Sequence, residues 1–264
     1  MARRVRRDGF STSWDSVAHW YNGWVGKKGS EHHRKLAVPA LMDLLALKNR
    51  EEVLDIGCGQ GVLTPFITRS GARYTGVDLS DRLLGLAQRH HGRRGRFLQG
   101  DACDLYGVKG LRDGMFDAVV FLLSLQNMAR LESVFDSASW VLRPGGRLVM
   151  LVMHPCFRLP RQSGWGWDAK RRLQYRRVDR YMTPFHLPEK IVTRRGTGST
   201  ISFHRPLEDY INGLTSQGLL VDRIQEIPAF GIQNKGSKAE QRAHKEIPLF
   251  LGLRAIKVEV DEGA

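Results

Sequence analysis

The stretch Val53-Leu54-Asp55-Ile56-Gly57-Cys58-Gly59-Gln60-Gly61 decides the fold of this chain. An apolar run, which is typical of a buried strand, leads into three glycines at alternate positions. Glycines are needed where the backbone must turn sharply and lie against a ligand with no Cβ in the way. Val62 stands where a dinucleotide-binding Gly-x-Gly-x-x-Gly turn requires a small residue. The sequence therefore predicts a strand, a ligand-binding turn and a helix, and it departs from the dinucleotide fingerprint.

From Glu52 onward, short apolar runs alternate with helical stretches, which is the pattern of a parallel sheet covered on both faces. We predict strands over 52–56, 73–77, 96–100, 116–122, 146–153, 219–227 and 249–258. Helices are predicted over 62–70, 80–91, 131–141 and 207–216, and the turn sequence at 143–146 closes the third of them. The fold class is therefore a doubly wound α/β sheet.

Two amphipathic helices are expected before this sheet. The first has Ser13 as its N-cap and an apolar face formed by Trp14, Val17, Ala18 and Tyr21. The second spans 36–47 with Pro39 in its first turn. The basic tail and these helices form a first segment, 1–50, ahead of a core at 51–153, an insertion at 154–205 and a region at 206–264 that completes the sheet.

Carboxylates end the second and third predicted strands. Asp78, in Gly76-Val77-Asp78-Leu79-Ser80, is placed to accept both hydroxyl protons of a ribose. Asp101, in Gln99-Gly100-Asp101-Ala102, falls where an adenine amino group would lie. Each acid alone is equally typical of a helix cap or a turn. Together with the glycine turn they make three strand-end features in register, which favours a ligand site.

These segments resemble the class I S-adenosylmethionine (SAM)-dependent methyltransferases, particularly the branch that includes the quinone-biosynthesis C-methyltransferases. The matching segments are VLDIGCGQG at 53–61, GVDLS at 76–80, GDACDL at 100–105, FDAVVFLLSLQNM at 116–128 and VLRPGGRLVM at 141–150. The resemblance implies a Rossmann-like, seven-stranded, mostly parallel sheet whose last strand is antiparallel, with the cofactor S-adenosyl-L-methionine across the carboxyl ends of the strands.

The resemblance also implies which residues bind SAM. Asp55, Gly57, Gly59 and Gly61 would line the methionine end, Asp78 and Leu79 the ribose, Asp101 and Ala102 the adenine, and the backbone near Leu122 the far side. Cys58 lies inside the loop, where we expect it to fill space. The N-terminal helices resemble a lid, and Tyr21 and the pair His32-His33 are candidates to contact the SAM carboxylate or close the site. Tyr21 is equally well explained as a core residue of its helix.

Methyl transfer is an in-line displacement, so an enzyme supplies alignment, desolvation and sometimes a base. The segment after the fourth strand, Ser124-Leu125-Gln126-Asn127, is not the Asn/Asp-Pro-Pro-aromatic motif of amino methyltransferases, and it offers no acid to begin a divalent-metal site. His154 ends the fifth strand and is the leading candidate for a base, ahead of His204 and His186, although a structural role suits it as well. Cys156 is expected to be structural.

The net charge of +14 is concentrated in two segments. Residues 1–7 hold four Arg and no acid, and residues 154–205 hold twelve Lys or Arg and three acids. The second segment mixes these cations with aromatic side chains, and the candidates for acceptor binding are Trp165, Trp167, Arg171, Arg172, Tyr175 and Arg176. Such a mixture suits an anionic aromatic metabolite, an RNA strand or simply a solvated face.

Composition narrows the function classes further. The hydrophobic fraction of 42% rules out wholesale disorder, and three distant cysteines without a CxxC pair favour a reducing cytoplasm. The longest apolar run, 118–123, is too short to span a bilayer. We expect methylation of a small anionic or aromatic metabolite, with a tRNA or rRNA nucleotide as the alternative and SAM binding without turnover as a third hypothesis; the oligomeric state stays open.

Overall fold

The computed structural model describes residues 14–193, 196–229, 232 and 236–258. Its eleven strands are β1 Glu52–Ile56, β2 Arg73–Asp78, β3 Arg96–Gln99, β4 Phe116–Leu122, β5 Leu142–Met153, β6 Ser163–Asp168, β7 Leu173–Val178, β8 Phe185–Thr193, β9 Gly196–His204, β10 Leu219–Pro228 and β11 Pro248–Lys257. Its α-helices are α1 Ala18–Val25, α2 Val38–Leu45, α3 Thr64–Arg69, α4 Asp81–His91, α5 Leu131–Val141, α6 Leu207–Thr215 and α7 Lys238–Glu246. Among these described residues, no helix is long and apolar enough to cross a membrane.

Seven strands form one sheet in the order β3-β2-β1-β4-β5-β11-β10. Strands β1 to β5 pair in parallel, whereas β11 runs antiparallel to both of its neighbours. The prediction of a doubly wound, seven-stranded and mostly parallel sheet with an antiparallel last strand is therefore confirmed. The carboxyl ends of β1, β2 and β4 lie side by side, which brings the loops that follow them to one edge.

Helices cover both faces of the sheet, and two apolar clusters separate them from it. One cluster joins the sheet to α5 and α6, with Phe116, Phe121 and Phe135 fully buried. The other joins the sheet to α2 and α3, with Leu41, Leu44 and Ile67 fully buried. Strands buried on both faces read as continuous apolar runs, which is why the sequence locates β4 and β5 so clearly.

The strand β5 begins earlier than the sequence indicates. Phe116 pairs with Leu142 and Ala118 pairs with Arg147, so residues 143–146 bulge out of the β4–β5 ladder. Gly145 lies in this bulge with a φ of 69°. The turn sequence predicted to close α5 is thus inside β5, because a bulge uses the same glycine-rich chemistry as a turn.

The insertion contains two antiparallel hairpins that the sequence analysis did not predict. Strands β6 and β7 form the first hairpin, and β8 and β9 form the second. Their strands mix polar, aromatic and glycine residues, so none has the apolar run of a core strand. Helix α7, which also went unpredicted, begins at a capping box between Ser237 and Glu240.

The N-terminal helices are present with one irregularity. A 3₁₀ turn at Asp15–Val17 precedes α1, and a π-helical turn at His33–Ala37 runs into α2, where Pro39 lies in the first turn as predicted. Helix α2 ends before Ala46, whose φ of 44° is left-handed. The predicted N-cap Ser13 lies outside the described residues.

Candidate active site

The glycine loop after β1 is held between its two neighbouring strands. Gly57, Gly59 and Gly61 have φ values of 72°, 54° and 79°, which only glycine adopts without strain. The N–H groups of Gly57 and Cys58 both donate to the Val77 carbonyl of β2, at 2.8 and 3.0 Å. The loop is therefore fixed in a conformation that exposes its backbone at the carboxyl edge of the sheet.

Asp78 closes this loop from the side of β2. One carboxylate oxygen accepts the N–H of Gly59 at 2.7 Å, and the other accepts the N–H of Ser80 at 2.9 Å. Burial raises the pKa of Asp78, while these backbone donors favour its charged form. Each oxygen keeps a second lone pair, so the carboxylate retains capacity to accept hydroxyl groups of a ligand.

Asp55, at the end of β1, is buried with half of its carboxyl group unpaired. The Tyr74 hydroxyl donates to Oδ2 at 2.7 Å, whereas Oδ1 is buried and has no partner among the described residues. Burial raises the pKa of Asp55 to about 7. A buried polar atom without a partner is costly, so Oδ1 is suited to receive a donor or a cation from a ligand.

Cys58 and the adenine-side residues also have defined environments. A Cβ added at Gly76 would lie 2.7 Å from the Cys58 sulfur, so the thiol fills the space against β2, and burial raises its pKa. Asp101 accepts the Cys103 N–H at 2.9 Å in the turn after β3. Leu79 and Asp101 are exposed, while Ala102 and Leu122 are half-buried. Leu79 follows β2, Asp101 and Ala102 follow β3, and Leu122 is the last residue of β4. All four residues therefore lie at the carboxyl edge of the sheet.

The N-terminal helix α1 covers the glycine loop. The Tyr21 ring lies 3.8 Å from the position of a Cβ on Gly59, and it packs between Trp14 and Trp24 with ring centroids 5.0 and 6.3 Å away. Burial, followed by the nearby charges of Asp78 and Asp55, raises the pKa of the Tyr21 phenol. Tyr21 thus lies beside the loop, as a lid residue would.

Two hydrogen-bonded contacts fasten this lid to the core, and the sequence analysis predicted neither. Asp15 accepts the Ser80 hydroxyl at the start of α4 and the Arg82 N–H at 3.2 Å. Gln60, which is fully buried, donates its side-chain N–H to the Gly26 carbonyl at the end of α1. Both contacts join residues far apart in the chain, so no local sequence pattern indicates them.

His33 is buried beneath the lid, whereas His32 is half-buried. The Nδ1 atom of His33 lies 2.8 Å from the Ser30 hydroxyl, and burial lowers the pKa of its ring to about 4. A Cβ on Gly29 would lie 2.7 Å from the His33 Cβ and 3.1 Å from Val62. His33 is therefore a neutral side chain packed where the lid meets the glycine loop.

The loop after β4 contacts the second hairpin of the insertion. Ser124 donates its hydroxyl to the Ile56 carbonyl at 2.8 Å, and Asn127 donates its side-chain N–H to the Ile201 carbonyl of β9 at 2.8 Å. The Gln126 Oε1 atom and the Thr200 hydroxyl are buried beside this contact without partners among the described residues. The lid reaches the same hairpin, because Ser16 donates to the Ser199 carbonyl at 3.2 Å.

Known proteins share this fold. Residues 54–150 match the family model described as "Methyltransferase domain". A putative S-adenosylmethionine-dependent methyltransferase from Listeria monocytogenes superposes with a TM-score of 0.69 at 24% identity, covering 84% of this chain and 97% of that chain. The resemblance predicted from the sequence is confirmed.

Residues 54–150 are similar in sequence to a methyltransferase domain.

Two curated relatives extend the comparison. The demethylmenaquinone methyltransferase of Tropheryma whipplei (strain Twist) is 35% identical over 121 residues, which are 44% of this chain and 48% of that protein. The ubiquinone biosynthesis O-methyltransferase of Xylella fastidiosa (strain 9a5c) is 27% identical over 160 residues, which are 57% of this chain and 63% of that protein. The matches thus span about half to two-thirds of the relatives' length.

The predicted catalytic histidines lie at the edge of the methyltransferase domain with their rings engaged. His154 is buried, its Nε2 lies 2.9 Å from Glu226, and its Nδ1 accepts the Cys156 N–H at 3.3 Å. Burial lowers the pKa of His154 despite this carboxylate. The Nε2 atom of His204 donates to the Tyr181 carbonyl at 2.6 Å, and His186 lies beside Phe203. The catalytic roles stay predictions.

The first hairpin packs against α7. It takes no part in the hydrogen bonds described above for the glycine loop. Two guanidinium groups lie over the Trp165 ring, with Arg158 and Arg176 at 5.1 and 5.2 Å from its centroid. Arg176 also donates to the Phe157 carbonyl and the Ser163 hydroxyl, at 2.7 and 2.8 Å. These two predicted acceptor residues therefore hold the hairpin together. The exposed members of the predicted set are Trp167, Arg171, Arg172 and Tyr175.

Proposed function

We propose that this chain is a SAM-dependent methyltransferase acting on a small molecule. The observation that carries the proposal is the hydrogen bond from the Gly59 N–H to Asp78, which places a carboxylate beside the glycine loop. A ribose offers two hydroxyl donors to such a carboxylate. The matching domain and the Listeria neighbour, which is named as a putative SAM-dependent methyltransferase, support the same cofactor.

The residues at this edge fit SAM chemically. Asp55 offers a buried, unpaired carboxylate oxygen, and a positively charged ligand would favour its ionised form. SAM carries positive charge on its sulfonium and ammonium groups, and when bound it supplies the methyl group for transfer. Asp78 would accept the ribose hydroxyls, the glycine loop would lie against the methionine portion, and Asp101 and Ala102 would face the adenine.

The second hairpin, β8–β9, suits the acceptor better than the first. It contacts both the lid, through Ser199, and the loop after β4, through Ile201. Gln126 and Thr200 each leave a buried polar atom unpaired next to these contacts. A site covered by both a lid and a hairpin favours an acceptor small enough to be enclosed. The names of the two curated relatives, both quinone-pathway methyltransferases, support a small aromatic acceptor.

The alternative of an RNA substrate has less support. Trp165 and Arg176 are half-buried and engaged in contacts within the protein, which leaves less of each side chain to stack on bases or bind phosphates. The four exposed members of the predicted set remain available for either acceptor.

A reducing compartment such as the cytoplasm suits three cysteines that form no disulfide in the structure.

Incubation with methyl-labelled SAM and a cell extract from which this protein has been removed tests the proposal. We expect label in the small-molecule fraction, dependent on the added protein and lost in Asp78→Ala. Label in the RNA fraction would contradict the choice of acceptor. SAM binding without any transfer of label would contradict the enzymatic activity itself.

A further inference from the structure

A cavity of about 560 Å³ lies between the end of the lid and the end of α4. It is lined by Lys27, which follows the lid helix, and by Gln88, Arg89, His90, His91, Gly92, Arg93 and Arg94. We call this the basic cavity. The lining contains four cations and no acid, and the volume is typical of pockets that hold small molecules.

The four cations of the basic cavity are not neutralised within the part of the chain that the structure describes. Lys27, Arg89, Arg93 and Arg94 are exposed, and none forms a side-chain ion pair or hydrogen bond with another described residue. The C-terminus of α4 attracts cations, but a helix end carries only about half a negative charge. The cavity is therefore strongly positive, which favours an anionic ligand.

Two histidines supply a second, independent indication of a ligand. His91 is 4% exposed, and its Nε2 atom is buried without a partner among the described residues. The Nδ1 atom of His90, which also lines the cavity, is buried and equally unpartnered. Burial and the neighbouring cations keep both rings neutral by lowering their pKa values, to about 4 for His91. A neutral imidazole has one N–H to donate.

We propose that the basic cavity binds a phosphorylated small molecule through its phosphate oxygens. Arginine guanidinium groups bind phosphate oxygens in pairs, Lys27 adds a point charge, and His90 and His91, each with an unpartnered nitrogen, complete the lining. The cavity joins lid to core, because Lys27 belongs to the lid segment and the other lining residues belong to α4 and the turn after it. A bound anion therefore holds the lid in place.

The same anion would act on the glycine loop through adjacent residues. Gly26, next to Lys27 in the chain, accepts the Gln60 N–H from the loop. A Cβ on Gly61 would lie 3.2 Å from the His91 ring. This part of the proposal rests on the function proposed above, whereas anion binding itself does not, so the two can fail separately.

Calorimetric titration of the full chain with inorganic pyrophosphate tests the proposal in the absence of SAM. We expect binding by the wild type, a loss of affinity of about tenfold or more in the double variant Arg93→Ala/Arg94→Ala, and a smaller loss in Lys27→Ala. The variants Arg112→Ala and Arg161→Ala remove exposed arginines elsewhere and are the matched controls. Equal losses in the controls, or no wild-type binding up to ~10 mM, would overturn the proposal.

Two further measurements separate the ligand source and the role of the lid. The first is a titration with a single-stranded RNA oligonucleotide. If the RNA binds through Arg93 and Arg94 and pyrophosphate does not bind, the ligand is a nucleic acid and our choice of a small molecule is wrong. The second is amide hydrogen exchange in the presence and absence of pyrophosphate. Pyrophosphate should slow the exchange of the amides of 18–25 in the wild type and not in Lys27→Ala. Unchanged exchange in the wild type would show that the anion does not hold the lid.

Discussion

The Asp78 carboxylate accepts the Gly59 N–H at 2.7 Å, and this hydrogen bond joins the end of β2 to the middle of the glycine loop. Because Ser80 donates to the other oxygen at 2.9 Å, the carboxylate is fixed in orientation before any ligand arrives. Tyr21 covers the same loop from the lid, close to Gly59. A cofactor that enters here meets groups that are already positioned, which reduces the entropic cost of binding.

The affinity for SAM should rise with pH through the pKa of Asp55. Burial raises this pKa to about 7, so the carboxyl group is largely protonated below neutrality in the free protein. A cationic ligand favours the ionised form, and a proton must leave when it binds. We expect calorimetry to show affinity increasing by up to about tenfold per pH unit below pH 7 and levelling above it.

The variant Asp55→Asn is the control for this pH dependence. Asparagine has a similar shape and can still accept the Tyr74 hydroxyl, but it does not titrate. Its affinity for SAM should be lower at pH 8 and nearly independent of pH between 6 and 8. A slope as steep as that of the wild type would show that another group titrates.

The raised pKa of Asp55 also predicts how the stability of the free protein changes with pH. Between the unfolded pKa near 4 and the folded value of about 7, the native state binds more protons than the unfolded state. This group therefore contributes a fall in the free energy of unfolding as pH rises across that window. Urea denaturation at pH 5 and pH 7 should show a larger fall in the wild type than in Asp55→Asn; equal falls would contradict the assignment.

Gly57→Ala should be strongly destabilising. The residue has a φ of 72°, and an added Cβ would lie 2.6 Å from the Ser124 Cβ. Gly145→Ala is a matched control, because Gly145 has a φ of 69° but nothing within 4 Å of an added Cβ. We expect urea denaturation to show a loss of about 1 kcal/mol for Gly145→Ala and about 3 kcal/mol or more for Gly57→Ala. Equal losses would mean that Ser124 moves aside freely.

Asn127→Ala should loosen the second hairpin without weakening SAM binding. Its side-chain N–H donates to the Ile201 carbonyl at 2.8 Å, so the change removes a hydrogen bond of about 1 kcal/mol. Hydrogen exchange should accelerate in β9, while calorimetry shows unchanged SAM affinity. The exposed Asn212→Ala is the control. If β9 exchanges at the wild-type rate in Asn127→Ala, the loop after β4 does not hold this hairpin.

Residues of the first hairpin are expected to have two different roles, packing and acceptor binding. Trp165→Ala should destabilise the protein by about 2 kcal/mol or more, because the ring contacts the guanidinium groups of both Arg158 and Arg176. Arg171→Ala should leave stability within about 0.5 kcal/mol, because its side chain is exposed. A fall in acceptor turnover in Arg171→Ala at unchanged SAM affinity would support the predicted binding role. If Arg171→Ala kept the turnover of the wild type, the predicted role of Arg171 in acceptor binding would be wrong.

Local sequence information was sufficient to predict the seven-stranded sheet and the glycine loop after β1. Buried parallel strands such as β4 are continuous apolar runs, and the glycines of the loop are dictated by the backbone conformation at their own positions. The lid contacts could not be predicted, because Gln60 meets Gly26 and Asp15 meets Ser80 only once the chain has folded. The hairpins escaped prediction because their strands mix polar, aromatic and glycine residues and have no continuous apolar run. The same aromatic and cationic residues that suggested a binding surface also form the Trp165 stack.

The most direct test of the central claim is the affinity for SAM of the wild type and of Asp78→Ala, with the exposed Asp113→Ala as control. Loss of a charge-assisted hydrogen bond to the ribose costs about 2 kcal/mol, so we predict that calorimetry will show SAM binding weakened by about thirtyfold in Asp78→Ala and unchanged in Asp113→Ala. Equal affinity in all three proteins, or no SAM binding by the wild type, would contradict the account.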